Sequence, residues 1–358
     1  MSPPSPPGSQ GPPGSRGPQD SGAAERRRQF AEEARSERPD LALLCLLLGA
    51  EAGPLSGRSS APGSHASESD VSGSDVSGSD AQGSGQDVPV SGTDVPVSGT
   101  DVPDSADGED VPDAHGGASP DPYGIDASQI ELDRLAGLLP YGVRSARAWA
   151  SVLAELLGER CGFAGASADY QRLDSSLLQQ VLRRRRGLPI LLSVIWIEVA
   201  RRAGAPVYGV ALPGHFVIGF GDPAERVLAD PFAGGAPLSG QDAELMVAGA
   251  TGAPLTESML VPARPLEIVL RILNNIRAWA AARPEHTDVA LWAVDLSLLL
   301  PSHPARLRYE RAQLLVQRGE FVRGAVEMEE YAEIVAGIDP ATADAVRRRA
   351  RAARALLN

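Results

Sequence analysis

Fifteen residues from position 189 to 203, PILLSVIWIEVARRA, are apolar except for one serine, one glutamate and two arginines that wait until the end. On a 3.6-residue period Ile190, Val194, Ile197 and Arg201 form one stripe, and Leu191, Ile195 and Val199 form another. A helix here is buried on most of its sides, so other elements must be wrapped around it. Pro189 suits the first helical turn, Gly204 the C-terminal cap, and Arg201 and Arg202 the negative end of the helix dipole. The segment is the central core helix of its domain.

The next thirty residues have strand character: VYGVAL at 207–212, HFVIGF at 215–220 and RVLAD at 226–230, with GDPA at 221–224 as a turn. The fold class is α+β. A regular four-residue loop sets Phe216 opposite Ala229, Val217 opposite Leu228 and Ile218 opposite Val227. The same register places His215 directly across from Asp230, with Cβ atoms about 4.5–5.5 Å apart. One bulge would break that pairing. A carboxylate that fixes the tautomer of a histidine is what a general base needs, but the pair serves equally as a structural hydrogen bond unless a nucleophile reaches the other ring nitrogen.

The rest of the 358 residues divides by composition. Residues 1–24 are rich in Pro, Gly and Ser and read as disordered; 25–51 give two helices separated at Pro39 and Asp40. Residues 54–121 repeat SGSD and DVPVSGT units and read as an acidic low-complexity insert within one domain, because helical periodicity resumes at Asp126 with Leu132, Leu135, Leu138 and Leu139 on one face. Between 59 and 121 there are thirteen acidic residues and no basic one, which accounts for the whole net charge of −13. The remainder is electroneutral, which argues against nucleic acid as a partner.

No lysine occurs, so Schiff-base chemistry is excluded. Two cysteines, Cys45 and Cys161, make no disulfide framework, and the Pro-rich start shows no apolar signal segment, so the expected compartment is the cytoplasm. The apolar run LALLCLLLGA at 41–50 is too short to cross a bilayer of about 30 Å and reads as a buried helix. Further helices are expected over 142–160 and 174–185. From Pro265 the chain is helical, with breaks at Pro284, 301–304, Gly319 and Pro340, giving four or five antiparallel helices. The turn at Gly319, Glu320 and Phe321, followed by the small Gly324 and Ala325, resembles that of a tetratricopeptide repeat, a surface for protein partners. The expected division is a first domain over 25–53 and 122–260 and a helical tail over 261–358.

The block RRRRGLPILLSVIWIEVARRAGAPVYGVALPGHFVIGF followed by LADPFAGG, with DSSLLQQVL upstream, resembles the transglutaminase-like superfamily and in particular its SirB-type bacterial branch. The resemblance implies a papain-like core with a nucleophile at the start of the buried helix and His and Asp on the following strands, used for acyl transfer or amide hydrolysis. His215 and Asp230 match that pattern. The cysteine does not: its position falls at or near Pro189, and 187–193 read GLPILLS, where Ser193 is the one nucleophile-capable side chain. A helix N-terminus activates a thiol but leaves an alcohol protonated, so the plain reading of Ser193 is a hydroxyl bonded to its own preceding turn.

Pro189, Gly214, Phe216, Gly234 and Gly235 are the expected pocket residues around the pair. The arginines at 183–186 read either as an anion site at the pocket mouth or as a solvated helix end. His65, His115, His286 and His303 are scattered, so neither metal nor cofactor is expected. Two readings stand: a degenerate, non-catalytic transglutaminase-like interaction or regulatory module, or an active hydrolase or acyltransferase using Ser193, His215 and Asp230.

Overall fold

The apolar run at 189–203 needs a shell, and in the structure it has one. A computed structural model of the chain describes residues 18–56 and 124–356. Its central helix, α6 (Pro189–Arg202), begins with proline at its first positions and is buried at every residue from 189 to 200. Helices α1 (Pro18–Glu33), α2 (Leu41–Ser56), α3 (Ile125–Ala136), α4 (Ala146–Leu153) and α5 (Leu178–Arg184) contribute to one large apolar core with it. Leu41, Leu44, Leu46, Leu47 and Leu48 of α2 are almost wholly inaccessible. A π-helical turn, Ala154–Arg160, prolongs α4.

One buried charge breaks the apolar character of α6. Glu198 lies in the core but takes a 2.6 Å bond from Arg202 one turn on, and Arg202 also reaches Asp133 and Gln129 of α3. Burial pushes the Glu198 carboxyl up, while Arg202 and Arg201 work against that rise. The helix therefore carries its own counter-charges at the end where it meets solvent.

After Gly204, which has a positive φ of 84° as a helix-ending glycine should, the chain enters an antiparallel sheet. Its strands are β1 (Val207–Val210), β2 (Val217–Phe220), β3 (Val227–Asp230), β4 (Ala236–Leu238) and β5 (Pro262–Ala263), in the order β4-β3-β2-β1-β5. Side chains alternate between two apolar layers. Phe216, Ile218, Phe220 and Ala229 enter the main core, while Val210, Val217, Leu228 and Leu238 pack with Ala243 and Val247 of α7 (Gly240–Thr251).

The register differs from the expected one. Ile218 pairs with Ala229, Gly219 with Leu228 and Phe220 with Val227, a slip of two residues. The turn is longer than four residues, because Pro223–Glu225 forms a 3-10 turn and Arg226 takes a left-handed φ of 51°. A slip of two keeps every side chain on its expected face.

Helices α8 (Pro265–Ala281) and α9 (Thr287–Leu299) also belong to the main core, which runs on to Leu300. The expected border at 260/261 thus falls inside one continuous apolar cluster. Helices α10 (Arg306–Gln317), α11 (Phe321–Ala336) and α12 (Pro340–Ala355) form a second, smaller core made largely of alanines. Ion pairs tie it to the first: Arg277 of α8 to Glu310 at 2.8 Å, and Arg311 to Asp295 of α9 at 2.6 Å, while Arg311 also joins α10 to α11 through Glu327.

Some expectations change. Helix α1 starts at Pro18, inside the stretch 1–24 expected to lack structure, and α2 continues through 54–56. Residues 1–17 and 57–123, with His65 and His115, lie outside the described residues. Leu138 is exposed because α3 has already ended at Ala136, whereas Leu132 and Leu135 are buried. The stretch 174–185 is a 3-10 turn, Leu173–Ser176, and then the short α5.

Candidate functional site

His215 and Asp230 meet, although not as directly opposed strand residues. His215 precedes β2 in a turn closed by a bond from its own N–H to the Leu212 carbonyl, and Asp230 ends β3. His215 Nε2 lies 3.0 Å from Asp230 Oδ2, with side chains 15% and 7% exposed. The other oxygen, Oδ1, accepts the Phe232 N–H at 2.9 Å as the cap of the 3-10 turn Pro231–Ala233. Both carboxylate oxygens are thus committed. Phe232 sets its ring edge-on to the imidazole, with centroids 5.8 Å apart. A neutral ring held this way keeps its proton on Nε2 and offers Nδ1 as an acceptor. Among the described residues no hydroxyl or thiol hydrogen-bonds to that nitrogen.

The pair stands beside a cavity of about 400 Å³ lined by His215, Gly214, Phe216, Leu188, Pro189, Ile190, Tyr170, Ser176 and the α8 residues Arg271, Asn275, Ala278 and Trp279. Of the expected pocket residues, Pro189, Gly214 and Phe216 line this cavity. Gly214 holds a φ of 72°, which lets the chain turn just before the histidine. Gly234 and Gly235 are not on this wall, because the 3-10 turn after Asp230 carries them away to the β3–β4 hairpin. There Gly234 presses its carbonyl against Gly158 of the π turn, and Gly235 lines a second cavity of about 820 Å³. That larger cavity mixes Arg147 and Arg226 with Glu155, Glu159 and Asp242 and contains neither His215 nor Asp230.

Ser193 is fully buried, and its Oγ donates to the Phe216 carbonyl at 3.3 Å. The bond crosses to the residue before β2 instead of closing on the preceding helical turn. The pocket wall is made by Leu188, Pro189 and Ile190, and Ser193 sits one turn deeper, off the lining. Cys45 is buried in α2, where burial raises its thiol pKa strongly, and Cys161 ends the π turn; neither lines the pocket. Sequence reasoning passed over two hydroxyl-bearing residues on the pocket wall, the phenol of Tyr170 and the buried Ser176 just before α5.

The arginine run has partners inside the protein. Arg184 bonds Asp169 and Ser175, Arg186 faces Asp169 at 3.7 Å, and Arg185 reaches Glu131 at 2.7 Å while lying over the Phe163 ring. Asp169 is buried and also accepts the Ala166 N–H. Three of the four guanidinium groups thus anchor neighbouring segments, so neither the anion site nor the solvated helix end describes them. The cation at the pocket is Arg271. Its signal is weak in the sequence: Arg271, Asn275, Ala278 and Trp279 follow helical spacing, but on the flank of the stronger stripe Ile268, Ile272 and Ile276.

Among the described residues no group of three or more His, Cys, Asp or Glu is placed to hold a metal ion, and no helix is long and apolar enough to cross a membrane. His286 stacks near Trp279, and His303 bonds the Leu300 carbonyl through Nδ1.

Comparison with known proteins agrees with this architecture. A model described as transglutaminase-like superfamily matches residues 126–274, and one described as tetratricopeptide repeat matches 276–358. A UPF0162 protein of Xylella fastidiosa strain 9a5c is 32% identical over 183 residues, 50% of this chain and 65% of that relative, so the match spans just under two thirds of its length. A UPF0162 protein of Vibrio cholerae is 27% identical over 191 residues, 51% of this chain and 70% of the relative. F-box only protein 21 of Mus musculus is 24% identical over 161 residues, 43% of this chain and 25% of that protein. This chain carries a transglutaminase-like superfamily domain followed by tetratricopeptide-like repeats.

Proposed function

We propose that the transglutaminase-like domain is a binding module without acyl-transfer chemistry, joined to a helical part that contacts a protein partner. The observation that carries this reading is the wall of the pocket at the start of α6. Leu188, Pro189 and Ile190 reach it, none of them a nucleophile, and the Ser193 proton is committed to the Phe216 carbonyl. His215 and Asp230 then act as a positioned hydrogen-bonding pair in a ligand pocket. The partner surface fits the groove over α10 and α11, where half-exposed Val322 and Val326 sit among Arg308, Arg323 and Glu330. Both cysteines are free, which suits a reducing compartment such as the cytoplasm.

The test is covalent labelling of the full chain with a fluorophosphonate and with iodoacetamide, read by peptide mass spectrometry. The expected result is no modification of Ser176, Ser193 or either cysteine that depends on His215. Stoichiometric labelling at any of them that disappears in His215→Ala overturns the proposal. A second reading has one observation in its favour: Ser176 shares the pocket wall with His215, so an active hydrolase would use that hydroxyl, and the same experiment would identify it.

A further inference from the structure

We propose that the pocket beside His215 is a carboxylate-binding site, in which Arg271 receives the anion and Asn275 and the apolar wall receive the group that carries it. The inference rests on the binding-module reading only in using the same pocket.

Arg271 is a half-buried arginine with no carboxylate partner among the described residues. Its Nη2 donates to the Leu212 carbonyl at 2.6 Å and to the His215 carbonyl at 2.8 Å, and its guanidinium carbon lies 5.6 Å from the Phe216 ring centroid. Those bonds use one nitrogen and fix the guanidinium in place, leaving the donors on Nε and Nη1 without acceptors among the described residues. Burial lowers the Arg271 pKa, with no acidic neighbour to offset it. Arg184, Arg202, Arg277 and Arg311, also half-buried, each face a carboxylate, and Arg283 places its two Nη groups on the Trp279 carbonyl and the Gln171 side chain. A fixed, partly desolvated guanidinium with free donors is suited to an incoming anion.

The cavity also limits what that anion is. Its lining contains no Asp or Glu, and Arg271 is its one permanent cation among the described residues. One positive charge in a space of about 400 Å³, walled by Leu188, Ile190 and Phe216, matches a monoanion on an apolar body. A phosphate dianion would leave a charge uncompensated against that wall. Asn275, one helical turn from Arg271 and without a bond of its own among the described residues, adds a donor and an acceptor. Trp279 is held as a firm side of the pocket: its Nε1 donates to the Gln171 carbonyl at 3.0 Å, and Arg283 lies over its ring at 4.5 Å. Because Arg271 grips the His215 carbonyl, a bound carboxylate sits next to the imidazole.

The experiment is titration of the full chain, read by the indole N–H signal of Trp279 in nitrogen-labelled protein and assigned with Trp279→Phe. The probes are N-acetyl-alanyl-leucine, its C-terminal amide, N-acetyl-glutamic acid 1-amide and inorganic phosphate. At least one carboxylate probe should bind about tenfold or more tighter than the amide. The first acid binding alone assigns a chain terminus as the source; the glutamate derivative binding alone assigns a side chain. Arg271→Gln should remove the binding. Because that change also frees two backbone carbonyls, Asn275→Asp is the second variant; it leaves those bonds intact and should weaken the carboxylate by about tenfold, by repulsion and by occupying Arg271. Equal binding of acid and amide, tighter binding of phosphate, indifference to Asn275→Asp, or no response to either acid at about 10 mM each overturns the proposal. None of these outcomes bears on His215-dependent labelling, so this inference and the binding-module reading fail separately.

Discussion

The two cores of this molecule are built from different materials. Around α6, the interior is filled by volume: Trp196 and Phe163 cross edge to face with centroids 5.8 Å apart, within a core of leucines and isoleucines from α2–α6, α8 and α9. In α10–α12 the buried positions are Ala312, Ala325, Ala332, Ala343, Ala350 and Ala353, with Met328 and Val346 as the larger members. There, helices approach closely and little side-chain volume lies between them. Apolar burial scales with area, so the first core supplies most of the hydrophobic stabilisation, while the second depends on backbone proximity and on charged pairs such as Arg311 with Asp295. A cavity is the serious defect in one and an added methyl group the serious defect in the other.

That contrast can be broken at three points. Trp196→Ala should cost about 3–5 kcal/mol in urea unfolding, since it empties the middle of the first core; a loss under about 1 kcal/mol would show that α6 is not what the core is packed around. Gly324→Val is the matching insult to the tail. A Cβ there would lie 2.8 Å from the Ala312 carbonyl oxygen and against Val316, so α10 and α11 must part, at a cost of about 1–3 kcal/mol. Hydrogen exchange should speed up in α10–α12 before it does in α6; equal acceleration in both would mean that the two cores open as one unit.

The smallest effect concerns Glu198. Its folded pKa is raised, so the folded chain holds that proton more tightly than the unfolded chain does. Stability from this group is present below its ordinary value of 4.5 and is lost as pH rises through the folded pKa. Glu198→Gln should therefore gain melting temperature relative to the parent as pH goes from about 4 to 7, by an amount worth about 1 kcal/mol or less. A difference that shrinks over that range would mean the bond to Arg202 outweighs the burial.

Legibility in the sequence depended on period and composition. The burial of α6 and α2, the strand faces and the tail breaks at Pro284, Gly319 and Pro340 all come from patterns that span several residues. The β2–β3 register was not readable, because it depends on whether 221–226 forms a tight turn or a 3-10 turn ending in a left-handed arginine. The error was even, so His215 and Asp230 still came within bonding distance on one side of the sheet. Charge partners were harder still. Nothing local to Arg184 announces Asp169, fifteen positions earlier, and nothing local to Arg271 announces the carbonyls of Leu212 and His215. Ser176 was hidden in the same way, since a 3-10 turn has no amphipathic signature to show which side it presents.

Helix α8 has one further consequence. The two family matches divide at 274/276, yet α8 runs unbroken from Pro265 to Ala281, with Ile272 and Leu273 before that border and Ile276 and Ala280 after it, all in one core. Splitting the chain at the border would leave each half with part of an apolar helix exposed and would separate Arg271 from Asn275 and Trp279. The buried members of the larger core end at Leu300 and those of the smaller one begin in α10, so the border between the two cores does not coincide with the border between the two family matches.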